Sequence, residues 1–484
     1  MSQAHRGGGF FLGPRAAAAL SSGHLREQRS LTSTLAGVDT SVKVFVVAPE
    51  RSLEEVIGEA AFAELLAGQG KTLFQLCNTL SGRAPDAWKK RHFYELHSEA
   101  DELESFLDDY GARHNRTYVL ARELVASIRW FALAGFSVSH LRGRFGSYGL
   151  ATRFNEDEER AARSSLTTVH EFVHSSLMAL VTELRSNAEA LGVLWPAEGY
   201  AGGDLKRDLA PRHRLPHNVG EEVLIDEEQR IAEVASKYLA ACEMFDELGI
   251  RELHDDVQRR ERLARFCTEE QARVYEATVH NLQSTYDTHL KNTVVEGKDE
   301  RLPRLRGHLS AALHLLETVT FLTHFVERHD SGVRGEPAEA RIVALIDRSQ
   351  VQGVILNHLL LWADRFIQRG RPLVDELLPT YTNLQELVLE VPDDLTLHAR
   401  PASLVVNIVG RYGTPVELEV AGKKCNASSI LELLITVGAN PEARRYVFRG
   451  DVNPLRDIGL LFENNLGESG LDDLPDELGY LRKN

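Results

Sequence analysis

Cysteine is scarce. Cys77, Cys242, Cys267 and Cys425 are the only four in 484 residues, far apart and without a CxxC pair, which argues against a disulfide scaffold or a CxxC redox or zinc motif. Buried thiols in a reducing compartment are expected instead. An excess of positive charge is also missing: the formal charge is -16 and the isoelectric point near 5.7. Neither nucleic acid nor an anionic membrane surface is therefore expected as the main partner. No apolar run approaches the roughly 18 residues that cross a bilayer, and the N-terminal stretch has no signal-peptide core. There is no internal repeat. A cytoplasmic protein without a membrane span is the expectation.

The chain is long for one core, so two or more domains are expected. Residues 1–40 are rich in Gly, Ala, Ser and Arg, with Gly7-Gly8-Gly9, and read as a flexible leader. Val42 to Ala48 is β-prone. Helical periodicity then predicts helices over 52–67, 71–80, 86–110, 115–142, 156–192, 224–247, 252–292, 304–328 and 338–368, with Asn155 as a cap before Glu156. Such long helices point to an antiparallel bundle, with a first part over 41–193 and a second over 222–380. Between them, residues 194–221 read as an irregular linker loop carrying Gly202-Gly203, Pro211 and Pro216.

After Arg369-Gly370 the texture changes to short strands and short helices. Strands are expected at Glu386–Val391, Val416–Val420, Lys423–Cys425 and Arg445–Phe448, and helices at Ile430–Val437 and Pro454–Leu466. Residues 381–467 thus form an α+β unit, followed by a C-terminal extension over 468–484. Within the unit, Leu397-His398-Ala399-Arg400-Pro401-Ala402-Ser403 precedes a helix-period run of Leu404, Val405, Ile408 and Val409. Pro401 suits a first helical turn, where its missing N–H would have no partner. His398 is therefore expected near a helix N-terminus. There the unpaired N–H groups and the positive end of the dipole favour an anion, and Arg400 adds a cation that binds phosphate as a fork. This is the pattern of a phosphoacceptor histidine.

Three stretches in order, Leu397 to Ala402, Gly422-Lys423-Lys424 before Asn426-Ala427-Ser428-Ser429-Ile430, and Val437-Gly438, give residues 381–467 their character. This unit resembles HPr, the histidine phosphocarrier of the bacterial phosphotransferase system. The resemblance implies an open-faced sandwich, a four-stranded antiparallel sheet with three helices on one face. It further implies that His398 accepts a phosphoryl group at Nδ1 from an Enzyme I-like phosphohistidine donor and that Arg400 steadies it. Ser429 would match the serine phosphorylated by a regulatory kinase in some members. Ile430 and Leu431 would fall in the apolar patch offered to partners. No metal or other cofactor is implied, and the phosphoryl acceptor is left open. Thr396 stands where the family usually has glycine, a residue that takes positive φ more cheaply.

The fold class expected is thus multidomain, a mainly α N-terminal helical bundle plus a C-terminal α+β HPr-like open-faced sandwich. The function expected is phosphoryl relay or phosphorylation-dependent regulation through a phosphohistidine, by a carrier more than by a self-contained enzyme. Two alternatives stand beside it. His398 as a plain helix cap would make the protein a non-enzymatic helical scaffold with a degenerate HPr-like domain, and Ser429 as a plain N-cap needs no kinase. His170-Glu171-Phe172-Val173-His174 matches H-E-x-x-H. On a helix its two imidazoles would share a face with Glu171 as general base, the arrangement of a zinc hydrolase. Its third ligand is the difficulty, because Glu183 and Glu189 lie too far along the same helix.

Overall fold

The computed structural model describes residues 56–150, 154–200, 222–330, 336–392 and 395–483. The leader, the Val42–Ala48 segment and the Gly- and Pro-rich part of the 194–221 linker lie outside the described residues. Thirteen α-helices precede the first strand among those residues: α1 Glu59–Gln69, α2 Lys71–Ser81, α3 Lys90–Asp109, α4 Val119–Arg144, α5 Glu156–Ala190, α6 Glu222–Leu248, α7 Asp256–Phe266, α8 Glu269–His289, α9 Val294–Lys298, α10 Arg301–Asp330, α11 Glu336–Leu345, α12 Arg348–Gly353 and α13 Leu361–Tyr381.

The bundle is organised by α4 and α10. Helix α4 packs against α3, α5 and α10, while α10 also packs against α8 and α13, and α13 against α6. Central helices bury most of their circumference and so are apolar nearly all round. That explains a departure from expectation: within Val119–Ser147 and Arg301–Arg328 there are 18-residue windows of mean hydropathy 1.3, long and apolar enough by length and composition to cross a membrane. The burial of 67% and 78% of those windows shows them serving as core helices of the bundle.

Several helix boundaries follow from local chemistry. Asn155 caps α5 reciprocally: its side chain accepts from Glu158 N at 2.8 Å, and Glu158 Oε2 accepts from Asn155 N at 3.1 Å. The helix expected over 252–292 is two helices, because Thr268 and Gln271 form the same kind of box at the start of α8. The helix expected over 338–368 is likewise divided at Asp347, whose side chain accepts from Ser349 N at 2.9 Å and caps α12. From there the chain runs through a π-helical turn, Val354–Leu360, straight into α13.

Helix α13 also continues past Gly370 and Pro372, where the sequence suggested an end. Tyr238 of α6 explains the glycine. Its hydroxyl donates to the Ile367 carbonyl at 2.9 Å, and it occupies the space a Cβ at residue 370 would need. His308 Nδ1 bonds the Phe366 carbonyl at 2.8 Å, so side chains of α6 and α10 bond carbonyls in the turn ahead of Gly370. Gly370 is thus a site of close packing between helices.

The C-terminal unit has its own core. It comprises β1 Leu384–Glu390, α14 Ala399–Tyr412, β2 Val416–Val420, β3 Lys423–Asn426, α15 Ile430–Gly438, β4 Arg445–Asp451 and α16 Val452–Glu463. The strands form an antiparallel sheet in the order β1-β4-β2-β3, with Leu387 opposite Phe448, Leu418 opposite Phe448 on the other side, and Leu418 opposite Cys425. Ala421 and Gly422, at φ 49° and 80°, make the tight β2–β3 turn. Leu418 and Phe448 point inward with Val405, Ile408 and Ile458 of the helical layer. The outer sheet face is charged, with Arg449 bridging Glu386 at 2.9 Å and Glu419 at 2.5 Å. A four-stranded antiparallel sheet with three helices is the architecture that the resemblance implied.

The residues after Gly467 are part of this unit. Leu474, Leu478 and Leu481 are buried in its core. Tyr480 donates to Asp457 Oδ2 at 2.8 Å, beside the Tyr412 hydroxyl at 2.6 Å from the same oxygen.

Candidate functional site

His398 is the N-cap of α14. Its φ of −82° and ψ of −170° are extended, and its carbonyl accepts the first helical bond, from Ala402 N at 2.9 Å. The helix begins here because Pro401 pre-sets its φ in the first turn and Ala402, Leu404, Val405 and Ile408 form a buried stripe. His398 Nδ1 accepts from the Arg400 backbone N–H at 3.4 Å. A ring nitrogen that accepts this bond does so through its unshared pair. The unshared pair of Nδ1 therefore faces the N-terminus of α14, where exposed N–H groups and the helix dipole meet an anion.

Nε2 lies 3.0 Å from Glu468 Oε1, although the pair lacks hydrogen-bond alignment. The imidazole is about half exposed, 52% by side-chain area. Arg400 is exposed as well, its carbonyl accepting from Ser403 Oγ at 2.6 Å. Thr396 accepts at its carbonyl from His398 N at 3.0 Å. It is not among the described non-glycine residues of positive φ, which are Asn292, Ala421, Asn465 and Leu466, so the threonine fits this loop without left-handed strain.

Glu468 was not legible in the sequence. Seventy residues separate it from His398, and it arrives through Leu466 and Gly467 at φ 57° and 73°. A Cβ on Gly467 would lie 2.9 Å from Leu404 Cδ1. Positive φ and tight packing together explain glycine there. Only the closing of this turn onto α14 brings the carboxylate to the ring.

Ser429 is the N-cap of α15, its hydroxyl accepting from Glu432 N at 3.3 Å. Ile430, Leu431 and Ile435 are 40%, 65% and 61% exposed, while Leu433 turns into the core. Helix α15 packs beside α14, so this apolar strip belongs to the same helical layer as His398.

Residues 386–443 match the family model described as the PTS HPr component phosphorylation site. The C-terminal part of the chain is an HPr domain. The matched residues run from β1 to the loop after α15 and contain His398, Arg400 and Ser429. No solved structure matches the chain.

The His170, Glu171 and His174 alternative gains no site. His170 is 1% exposed on α5, its ring edge-on to Phe93 at 5.8 Å, and burial drives its pKa down to about 4. His174 packs edge-on to Trp88 at 4.9 Å, and Glu171 faces outward. Further along α5, Glu183 is paired with Arg341 at 2.7 Å and Glu189 with Arg185 at 3.0 Å. Among the described residues no three His, Cys, Asp or Glu side chains converge as metal ligands. Spacing of four aligns two imidazoles, but a third ligand has to come from another element, and none approaches among the described residues.

Proposed function

We propose that the protein is a phosphocarrier in which His398 of the HPr domain accepts a phosphoryl group from an Enzyme I-like phosphohistidine and delivers it to an acceptor protein. The observation that carries this reading is His398 Nδ1 accepting from the Arg400 backbone N–H at the N-terminus of α14, on an accessible side chain. In the transfer, Nδ1 forms a bond to phosphorus as the donor's N–P bond breaks and its electron pair returns to the donor ring. The phosphoryl oxygens then take the place of Nδ1 at the α14 N–H groups, and the Arg400 guanidinium adds charge-assisted bonds. As Nδ1 gives up its pair, the ring gains positive charge, which Glu468 at 3.0 Å from Nε2 offsets. The domain contributes positioning and electrostatics, with His398 as the only nucleophile.

The exposed Ile430, Leu431 and Ile435 strip suits docking of donor and acceptor, and Ser429 at the head of α15 is a modification point that would change that surface by adding charge. The compartment is the cytoplasm. Incubating the protein with Enzyme I and labelled phosphoenolpyruvate tests the reading. An acid-labile label that His398→Ala abolishes is expected. Absence of label on the unaltered chain, or label that survives His398→Ala, overturns it.

A further inference from the structure

A cavity of about 550 Å³ lies in the helical bundle, away from the HPr domain. Its wall is built from the turn at Pro85–Ala87, the start of α3, the last turn of α4 and the first half of α5. Lys89, Lys90, Arg142 and Arg163 line it against a single carboxylate, Asp86. That is a concentrated positive wall in a chain whose formal charge is -16. Arg142 uses one guanidinium nitrogen on Asp86 Oδ1 at 3.1 Å, Lys89 Nζ donates to the Asp86 carbonyl at 2.8 Å, Lys90 Nζ bonds His140 Nδ1 at 2.7 Å, and Arg163 meets Glu159 at 2.7 Å. The Arg163 guanidinium also stacks over the Phe145 ring at 4.6 Å. Each cation is thus held in place by a neighbour within the protein.

Two further wall residues carry polar atoms without partners. Trp88 is 2% exposed and its indole N–H has no acceptor, and the shielded hydroxyl of Ser139 has no partner either. A buried donor is ordinarily bonded. An indole N–H can only donate, so what is missing is an acceptor. Four cations, an unanswered N–H and the positive end of the twenty-residue helix α3 all favour the same chemistry, an anion rich in oxygen. The cavity is far larger than an inorganic phosphate, and Trp88, Phe145 and Leu166 supply apolar wall for an organic portion.

We infer that this cavity binds a small organic phosphate monoester, its phosphate held by Arg142, Arg163 and Lys89 and bonded by the Trp88 indole N–H. A dianion matches the surplus of positive charge in the wall better than a single carboxylate does. The site would make the helical bundle a receptor for a phosphorylated metabolite. It stands independently of phosphotransfer at His398, since no residue is shared.

The test is isothermal calorimetry on the full chain with glucose 6-phosphate and adenosine 5′-monophosphate, each beside glucose, adenosine and inorganic phosphate. Saturable binding of at least one ester, absent for its uncharged counterpart and weakened by salt, is expected. Trp88→Phe keeps the ring and removes the donor, and should weaken that binding about tenfold. Arg163→Gln, whose native partner is the half-buried Glu159 on its own helix, should weaken it by a similar factor while circular dichroism shows the bundle intact. If neither ester binds, or if binding is indifferent to both substitutions, the inference is wrong. Label at His398 is measured separately, so failure of the relay and failure of this site are distinguishable.

Discussion

Ending the chain after Gly467 should unfold the HPr domain while leaving the helical bundle folded. Leu474, Leu478 and Leu481 are 3%, 0% and 1% exposed in the core of the C-terminal unit. Burying each leucine contributes roughly 1.5–3 kcal/mol, so losing all three removes about 4.5–9 kcal/mol as an upper bound. The Tyr480 hydroxyl on Asp457 contributes a further ~1.5–3 kcal/mol as a bond to a charged group. Domains of this size hold only about 5–15 kcal/mol in total. Graded versions exist: Leu478→Ala should cost about 2–5 kcal/mol and Tyr480→Phe about 1.5–3 kcal/mol. Two probes separate the parts, because Trp88, Trp130, Trp195 and Trp362 all lie before residue 381. Tryptophan fluorescence therefore follows the bundle, and scanning calorimetry follows both. The shortened chain should keep its fluorescence transition and lose one calorimetric transition. It should also lose the label at His398, since Glu468 and the wall behind α14 go with the deleted residues. A shortened chain with both transitions in place would refute the argument that these residues are part of the domain.

Other perturbations are expected as follows. Gly370→Ala drives a Cβ into the Tyr238 hydroxyl and should cost about 1–3 kcal/mol by overpacking. Adding Tyr238→Phe should recover part of this loss, and a purely additive double-mutant cycle by urea unfolding would reject the contact. Burial raises the Asp364 carboxyl from its ordinary 3.8 to about 6. Its folded pKa thus exceeds its unfolded one, so the stabilisation is complete below pH 4 and is lost as pH rises through 6. Asp364→Asn should accordingly be more stable than the native chain at pH 7, by on the order of 1–2 kcal/mol after allowance for partial exposure, and no more stable at pH 4. Equal effects at the two pH values in urea titrations would exclude this cause. Ser429→Ala should destabilise the HPr domain by about 1 kcal/mol through loss of the α15 cap, whereas Ser429→Asp, also a capping residue, should not. Calorimetry of the two variants decides it.

Much of this protein is local chemistry and so is readable along the chain. Leu397 to Ser403 makes a capped helix with a histidine at its head because Pro401 and the apolar stripe act within a few residues. Asn155 and Glu158 start α5 in the same way. The Thr268–Gln271 box was equally present in the sequence, and continuous apolar periodicity on either side masked it. The alternation of Val416, Leu418 and Val420 was enough to place β2, since a strand with one face buried carries its register in every second residue. Gly370 misled because a glycine reads alike as a helix end or as a close approach, and only the position of Tyr238 separates the two.

What the sequence by itself determined is the identity of the C-terminal unit, the helical character of the rest and the place of His398 at a helix N-terminus, all products of contacts a few residues apart. The tertiary structure alone decided that Glu468 reaches the ring, that residues 468–482 complete the domain, that His170 and His174 find no third ligand among the described residues and that four cations, from α3 and its N-cap, α4 and α5, line one cavity with Trp88. Each of these joins residues distant in the chain. Their separation is set by how helices and turns pack, and no local preference carries that information.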